Sequence, residues 1–189
     1  MRKNLEKPAN ISPAPVLVIA TYNEDGSANI MNAAWGTMQA PDHVALNLAK
    51  PHKTTENIEK RRAFTVSFAD ADHVESADFV GLTSGNKIPD KAEKSGFSVE
   101  KSEVVDAPII SDLPICLECE FVEYQENEYG MGVIGKIVNT SVDEKILSDG
   151  AIDMARANLI LFDPLTMGYY RVGERVANAF NVGKKLIKG

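Results

Sequence analysis

The sequence predicts a mainly β protein, an antiparallel barrel with helices attached. Three observations carry that prediction. Strand-like runs outnumber helical ones along the chain. The breaks between them are hairpin signals, such as Asp25-Gly26, where glycine supplies the positive φ of a tight turn; they are not the longer crossovers of strand–helix–strand units. The chain has 189 residues, 44% hydrophobic and 25% charged, which fits one ordinary globular domain spanning 1–189 with an ample core.

The elements follow in order. Residues 15–21, PVLVIAT, form a short β-branched apolar run, the mark of a buried strand. After the Asp-Gly turn, SANIMNAAWG reads as its hairpin partner, and HVALNLA (43–49) as a third strand. KTTENIEKRR (53–62) has good helix formers and a threonine able to cap its start. AFTVSF (63–68) alternates as a strand does, and HVESADFVGL (73–82) reads as a helix with Val74, Ala77, Phe79 and Val80 apolar. Residues 83–97 are a Gly/Pro/Lys-rich loop with room for one helical turn, and long loops of this kind tend to be functional. The longest strand-like stretches are 114–124 and 131–142; 158–162 is another, and GERVANAF (173–180) reads as a short closing helix.

Charge excludes some functions. The net charge of −7 opposes nonspecific binding to nucleic acid and docking on anionic membranes. No apolar run has transmembrane length and the first residues lack a signal-peptide core, so a cytoplasmic location is the expectation. Cys116 and Cys119 have C-x-x-C spacing but lie in an alternating segment, where residues three apart face opposite ways. They read as structural, not as a redox pair or zinc knuckle, and the three histidines show no ligand spacing.

Gly130, Gly132 and Gly135 spell G-x-G-x-x-G, with Asp149 at a suitable distance for a dinucleotide fingerprint. That fingerprint needs a helix to spring from the last glycine and present its amides to a pyrophosphate. Here Ile137, Val138, Thr140 and Val142 follow, which favour strand, and Glu123, Glu126 and Glu128 precede. A glycine-containing strand that lets a ligand or backbone approach is the better reading.

Three stretches could carry chemistry. Trp35, the single tryptophan, sits among Ala33, Ala34 and Gly36, with Asn29, Asn32, Thr37 and Asn47 nearby; small residues and one large ring suit a flat ligand, whereas a core tryptophan is the plainer reading. Lys53, Thr54 and Thr55 stand at a helix start, where a cation, hydroxyls and free amides suit a phosphate, or where the threonines simply cap. Ser84 and Gly85 could bring amides to a ligand and Lys87 and Lys91 positive charge, or all could belong to a solvated loop. Together they point to a phosphorylated aromatic ligand.

VLVIATYNEDGSANIMNAAW, then APDHVALNL, KTTENIEKRRAFTVSF, SGNKIPDK and the terminal FDPLTMGYYRVGERVANAF are similar to the flavin reductase-like family, in particular its flavoredoxins, over residues 13–181. The resemblance implies an FMN-binding split β-barrel with antiparallel Greek-key topology, usually a homodimer with flavin near the subunit interface. It implies that Asn29, with Asn32, Ala33, Ala34, Trp35, Gly36 and Thr37, lines the flavin, and that Asn47, Leu48 and Ala49 touch the isoalloxazine edge. Lys53, Thr54 and Thr55 would bind phosphate; Ser84, Gly85 and Lys91 would close the site; Phe162 would lie near the cofactor. No protein nucleophile or metal is required, because the flavin carries the chemistry. The activity implied is NAD(P)H:flavin oxidoreduction. The competing readings are an electron carrier reduced by a redox protein partner, a flavin-sensing module without turnover, and a ligand-free barrel.

Overall fold

The computed structural model describes residues 13–127 and 130–187. In chain order the elements are β1 (Ala14–Pro15), β2 (Leu17–Tyr22), β3 (Ala28–Ala33), β4 (Gly36–Ala40), β5 (His43–Leu48), α1 (Lys53–Arg61) and β6 (Ala63–Phe68). Then come α2 (Val74–Leu82), α3 (Lys91–Lys94), β7 (Val99–Lys101), β8 (Pro108–Ile110), β9 (Ile115–Asn127) and β10 (Gly130–Val142). The chain continues through β11 (Leu147–Ser148), β12 (Ala151–Ile152), α4 (Met154–Ala157), β13 (Ile160–Asp163) and β14 (Gly168–Arg171).

Seven strands form one antiparallel sheet in the order β3-β2-β6-β9-β10-β5-β4. Its two edge strands, β3 and β4, are separated in the chain by Ala34 and Trp35 alone. So short a joint draws the edges together, and the sheet curls into a barrel split at that corner. Leu17, Ile19, Leu46, Phe64, Val66 and Val133 fill the barrel. A second core lies outside, where Val18, Ala20 and Ile30 of the sheet meet Ala77 and Val80 of α2 and Ile160 of β13. Successive β2 side chains therefore enter different cores, which is why its apolar run is continuous.

The strands and helices expected at 15–21, 43–49, 53–62, 63–68, 73–82, 114–124, 131–142 and 158–162 are all present, with ends shifted by a few residues. Three expectations are corrected. The stretch from Ser27 to Gly36 is two strands, broken at Ala34–Trp35 where the barrel turns its corner. β7, β8, β11, β12 and β14 lie where no strand was expected; they are short strands without long apolar patterns. No helix forms at 173–180: those residues are exposed, without regular structure up to a turn at 179–180, and a 3-10 turn, Val182–Leu186, follows them. An eight-residue helix without a surface to pack on does not hold itself together.

The glycine motif lies within β10, and β10 continues as strand through Val142. A Cβ on Gly135 would collide with the edge of the Phe64 ring, at Cζ and Cε1, so this glycine makes room for a core aromatic and not for a ligand. Asp149 occupies the β11–β12 turn at φ 53°. Cys119 enters the barrel core, whereas Cys116, also buried, faces the other side of the sheet. Burial pushes the Cys116 thiol up to about 11 and that of Cys119 higher still. Among the described residues no group of three His, Cys, Asp or Glu side chains is placed to hold a metal ion, and no helix is long and apolar enough to cross a membrane.

Candidate functional site: a cation-lined cleft at the start of α1

α1 begins at Lys53 after His52, and the His52 side chain makes no capping bond. The first-turn amides thus lack a side-chain partner, the condition that makes a helix start receptive to anions. The threonines do not cap as expected. Thr54 Oγ1 accepts from Asn29 Nδ2 at 2.8 Å, and Thr55 Oγ1 donates to the Ala49 carbonyl at 3.0 Å.

A cleft of about 290 Å³ opens there, between β3, the start of α1 and the loop after α2. Asn29, Asn32, Lys53 and Thr54 form one wall; Ser84, Gly85 and Lys91 form the other. The loop packs closely: a Cβ on Gly85 would collide with Asn29 Oδ1 and come within 3.2 Å of Lys53 Cβ. Lys91 is only 3% exposed and donates to the carbonyls of Val80 (3.1 Å) and Thr83 (2.9 Å), at the negative end of α2. Burial pulls its pKa down to about 8. Lys53 Nζ lies 3.2 Å from Glu56, which sits one turn along α1 outside the lining. No carboxylate is among the described residues that line the cleft.

Sequence reasoning missed His52. It lines the cleft, and its buried Nδ1 finds no hydrogen-bond partner among the described residues. Burial and the nearby Lys91 charge lower its pKa, which favours the neutral ring. A Pro-His pair before a helix start was the available signal. Met31 and Val80–Thr83 also line the cleft and were missed, because they are apolar or backbone contributors without a side-chain signature.

The remaining expected residues lie elsewhere. Ala34, Trp35, Gly36, Thr37 and Asn47 line a second, mainly apolar groove of about 570 Å³, facing Pro13 and Pro15. Trp35 is 46% exposed, so it is not a core tryptophan. Ala33 and Leu48 point into the barrel core. Thr55 and His52 border a third depression with Tyr124, whose hydroxyl donates to the Thr55 carbonyl at 2.9 Å. Phe162 packs on Tyr169 at 5.8 Å between ring centroids and does not line the cleft. Tyr169 in turn donates to Asp78 of α2 at 2.7 Å, tying β14 to the cleft's helical wall. Lys87 is exposed in the loop.

Residues 10–171 match the family model described as the flavin reductase like domain. The chain belongs to the flavin reductase-like family. Within the family it is similar to flavoredoxins: 34% identical to the flavoredoxin of Desulfovibrio vulgaris (Miyazaki F), covering 97% of this chain and 100% of that one, TM-score 0.90. The flavoredoxin from Methanosarcina acetivorans is 27% identical over 98% of this chain and 99% of that one, TM-score 0.88. A flavin reductase with split barrel domain from Shewanella frigidimarina NCIMB 400, 23% identical over 88% of this chain and 85% of that one, shares the fold at TM-score 0.78. An uncharacterized protein of Aeropyrum pernix is 30% identical over 116 residues, and the aligned part spans 44% of that longer protein.

The flavin reductase-like chain is thus a split-barrel protein of flavin-dependent oxidoreductase type. Its residues suit a flavin nucleotide. The cleft offers two ammonium groups, three hydroxyls, uncapped amides and a ring nitrogen with no partner among the described residues, a donor set matched to a phosphate-bearing chain. Its 290 Å³ is at the small end for a ligand pocket, enough for a phosphorylated tail but not for a three-ring system as well.

Proposed function

We propose that the protein holds FMN, with the phosphate at the start of α1, and passes electrons through it from NAD(P)H or from a reduced redox protein. One observation carries the reading: among the described residues, the cleft at a helix start is lined by Lys53, Lys91, Thr54 and Ser84 and by no carboxylate. In a chain of net charge −7, such a place is selected by chemistry and not by composition.

The bound flavin supplies the redox chemistry. The chain's residues bind and orient. Asn29 donates to the Thr54 oxygen, which leaves the Thr54 proton free to be given to a phosphate. Lys53 swings between Glu56 and the phosphate. Lys91, fixed by two carbonyls, contributes charge without moving. The apolar groove beside Trp35 takes the ring system, and a second copy of the chain covers that groove to form a homodimer.

The test is an FMN titration. Lys53→Ala with Thr54→Val should weaken FMN binding by about 2–4 kcal/mol, the usual worth of lost charge-assisted bonds. Unchanged affinity would put the phosphate elsewhere. The fuller likeness to flavoredoxins favours a second reading, an electron carrier with no nicotinamide site. Steady-state NAD(P)H oxidation with added FMN separates the two: a carrier shows almost none.

A further inference from the structure

We propose that the C-terminal arm, residues 172–187, docks on a second copy of this chain, in an acidic groove behind α3, and clamps the loop that closes the partner's cleft; this rests on the homodimer proposed above. The arm leaves the body after Arg171 and runs without helix or strand to a turn at 179–180. Val176 and Phe180 are each 98% exposed, and Leu186 and Ile187 are exposed as well. With Val182, these make five exposed large apolar side chains on one short segment, without cover among the described residues of their own protomer. Phe180 holds a left-handed φ of 56°, uncommon for a bulky residue and retained where surroundings hold it. The seven residues before the turn, 172–178, can reach at most roughly 25 Å, far enough to leave one protomer and touch another.

Charge identifies the landing place. The arm carries Arg175, Lys184 and Lys185 against the single Glu174, while the whole chain is at −7. On the body, a groove of about 520 Å³ has Ala28, Ala92 and Phe97 among its apolar lining and Asp25, Asp90 and Glu93 among its polar lining. A basic segment bearing a phenylalanine complements it in both respects. The groove shares α3 with the cleft: Ala92 and Glu93 face the groove, while Lys91 lines the cleft. An arm seated in the groove therefore presses α3 and the 84–91 loop onto the flavin site. The match to the family model ends at residue 171, where the arm begins. Alignment with the two flavoredoxins leaves fewer residues uncovered than the arm contains, so the arm extends the common domain in a way those proteins share.

Cross-linking tests it. Phe180→Cys and Glu93→Cys chains, differently tagged, are mixed and treated with a short bismaleimide; Cys116 and Cys119 are buried and should stay silent. A covalent heterodimer is expected. A chain carrying both substitutions that links within itself, or no link at all, overturns the proposal. Independently, Lys184→Glu with Lys185→Glu should weaken FMN binding about tenfold or more, and Asp90→Lys with Glu93→Lys should restore it; FMN affinity indifferent to all four charges overturns the clamp. A heterodimer that forms in protein unable to bind FMN would count against the flavin reading and leave the arm's docking established.

Discussion

Lys91 shows what a single residue does here. It is an ammonium group in a buried place, facing two carbonyls and, in the proposed complex, a phosphate. Its native pKa is about 8 against an ordinary lysine value of 10.5. Below pH 8 both native and unfolded states hold the proton, and the native state bears the full burial cost. Between about 8 and 10.5 the native state releases the proton while the unfolded chain keeps it, so stability rises with pH. Urea unfolding of the FMN-free protein should show the wild type gaining up to about 3 kcal/mol over Lys91→Met across that window. A parallel pair of curves would mean Lys91 is not desolvated. Bound FMN should shrink the difference, because an anion restores the lysine's affinity for its proton. The sequence made Lys91, Lys53, Thr54 and Ser84 legible as donors near a helix start or loop. It could not say which threonine faces the cleft: neighbours on a helix differ by about 100° in direction, and the phase is set by what α1 packs on. Packing aims Thr54 at Asn29 and turns Thr55 back to Ala49.

At the scale of elements, β9 and β10 decide most of what the chain is not. The glycine motif was legible as strand because β-branched residues follow it, and β10 runs on past Gly135 as that pattern requires. The reason for the glycine was not legible, since Phe64 is remote in sequence. Gly135→Ala should cost about 1–3 kcal/mol by overpacking the barrel, read as a lowered urea midpoint with FMN affinity of the survivors unchanged. A stability within error of wild type would show that Phe64 can move aside. Cys116 and Cys119 should resist Ellman's reagent at neutral pH until the chain unfolds, because burial raises both thiol pKa values and blocks access. Fast labelling of either would indicate that β9 opens locally. The expected helix at 173–180 failed for the opposite reason: apolar residues are present, but Val176 and Phe180 stay exposed and meet no surface among the described residues of their own chain.

For the whole molecule, the barrel was legible from its hairpins and alternating strands, while its closure was not. Closure depends on β3 and β4 being opposite edges of one sheet, a fact of pairing order that local pattern does not carry. The two grooves have the same origin. Cleft and tryptophan groove draw on β3 and β4 in turn, and the sequence showed the residues of both as one continuous run. Trp35 sits at the split, half exposed, and is the sole tryptophan, so its emission reports on that corner alone. Formation of the homodimer should shift that emission to the blue as protein concentration rises, in step with the mass measured by sedimentation; emission independent of assembly would place the interface elsewhere.

β2 serves the barrel interior with Leu17 and Ile19 and the helical layer with Val18 and Ala20. Neither half can melt while the other keeps its shared wall, so heat should dismantle the molecule in one calorimetric step. The amide protons of Val18 to Ala20 should accordingly be among the last to trade for deuterium, released only when the entire chain comes apart.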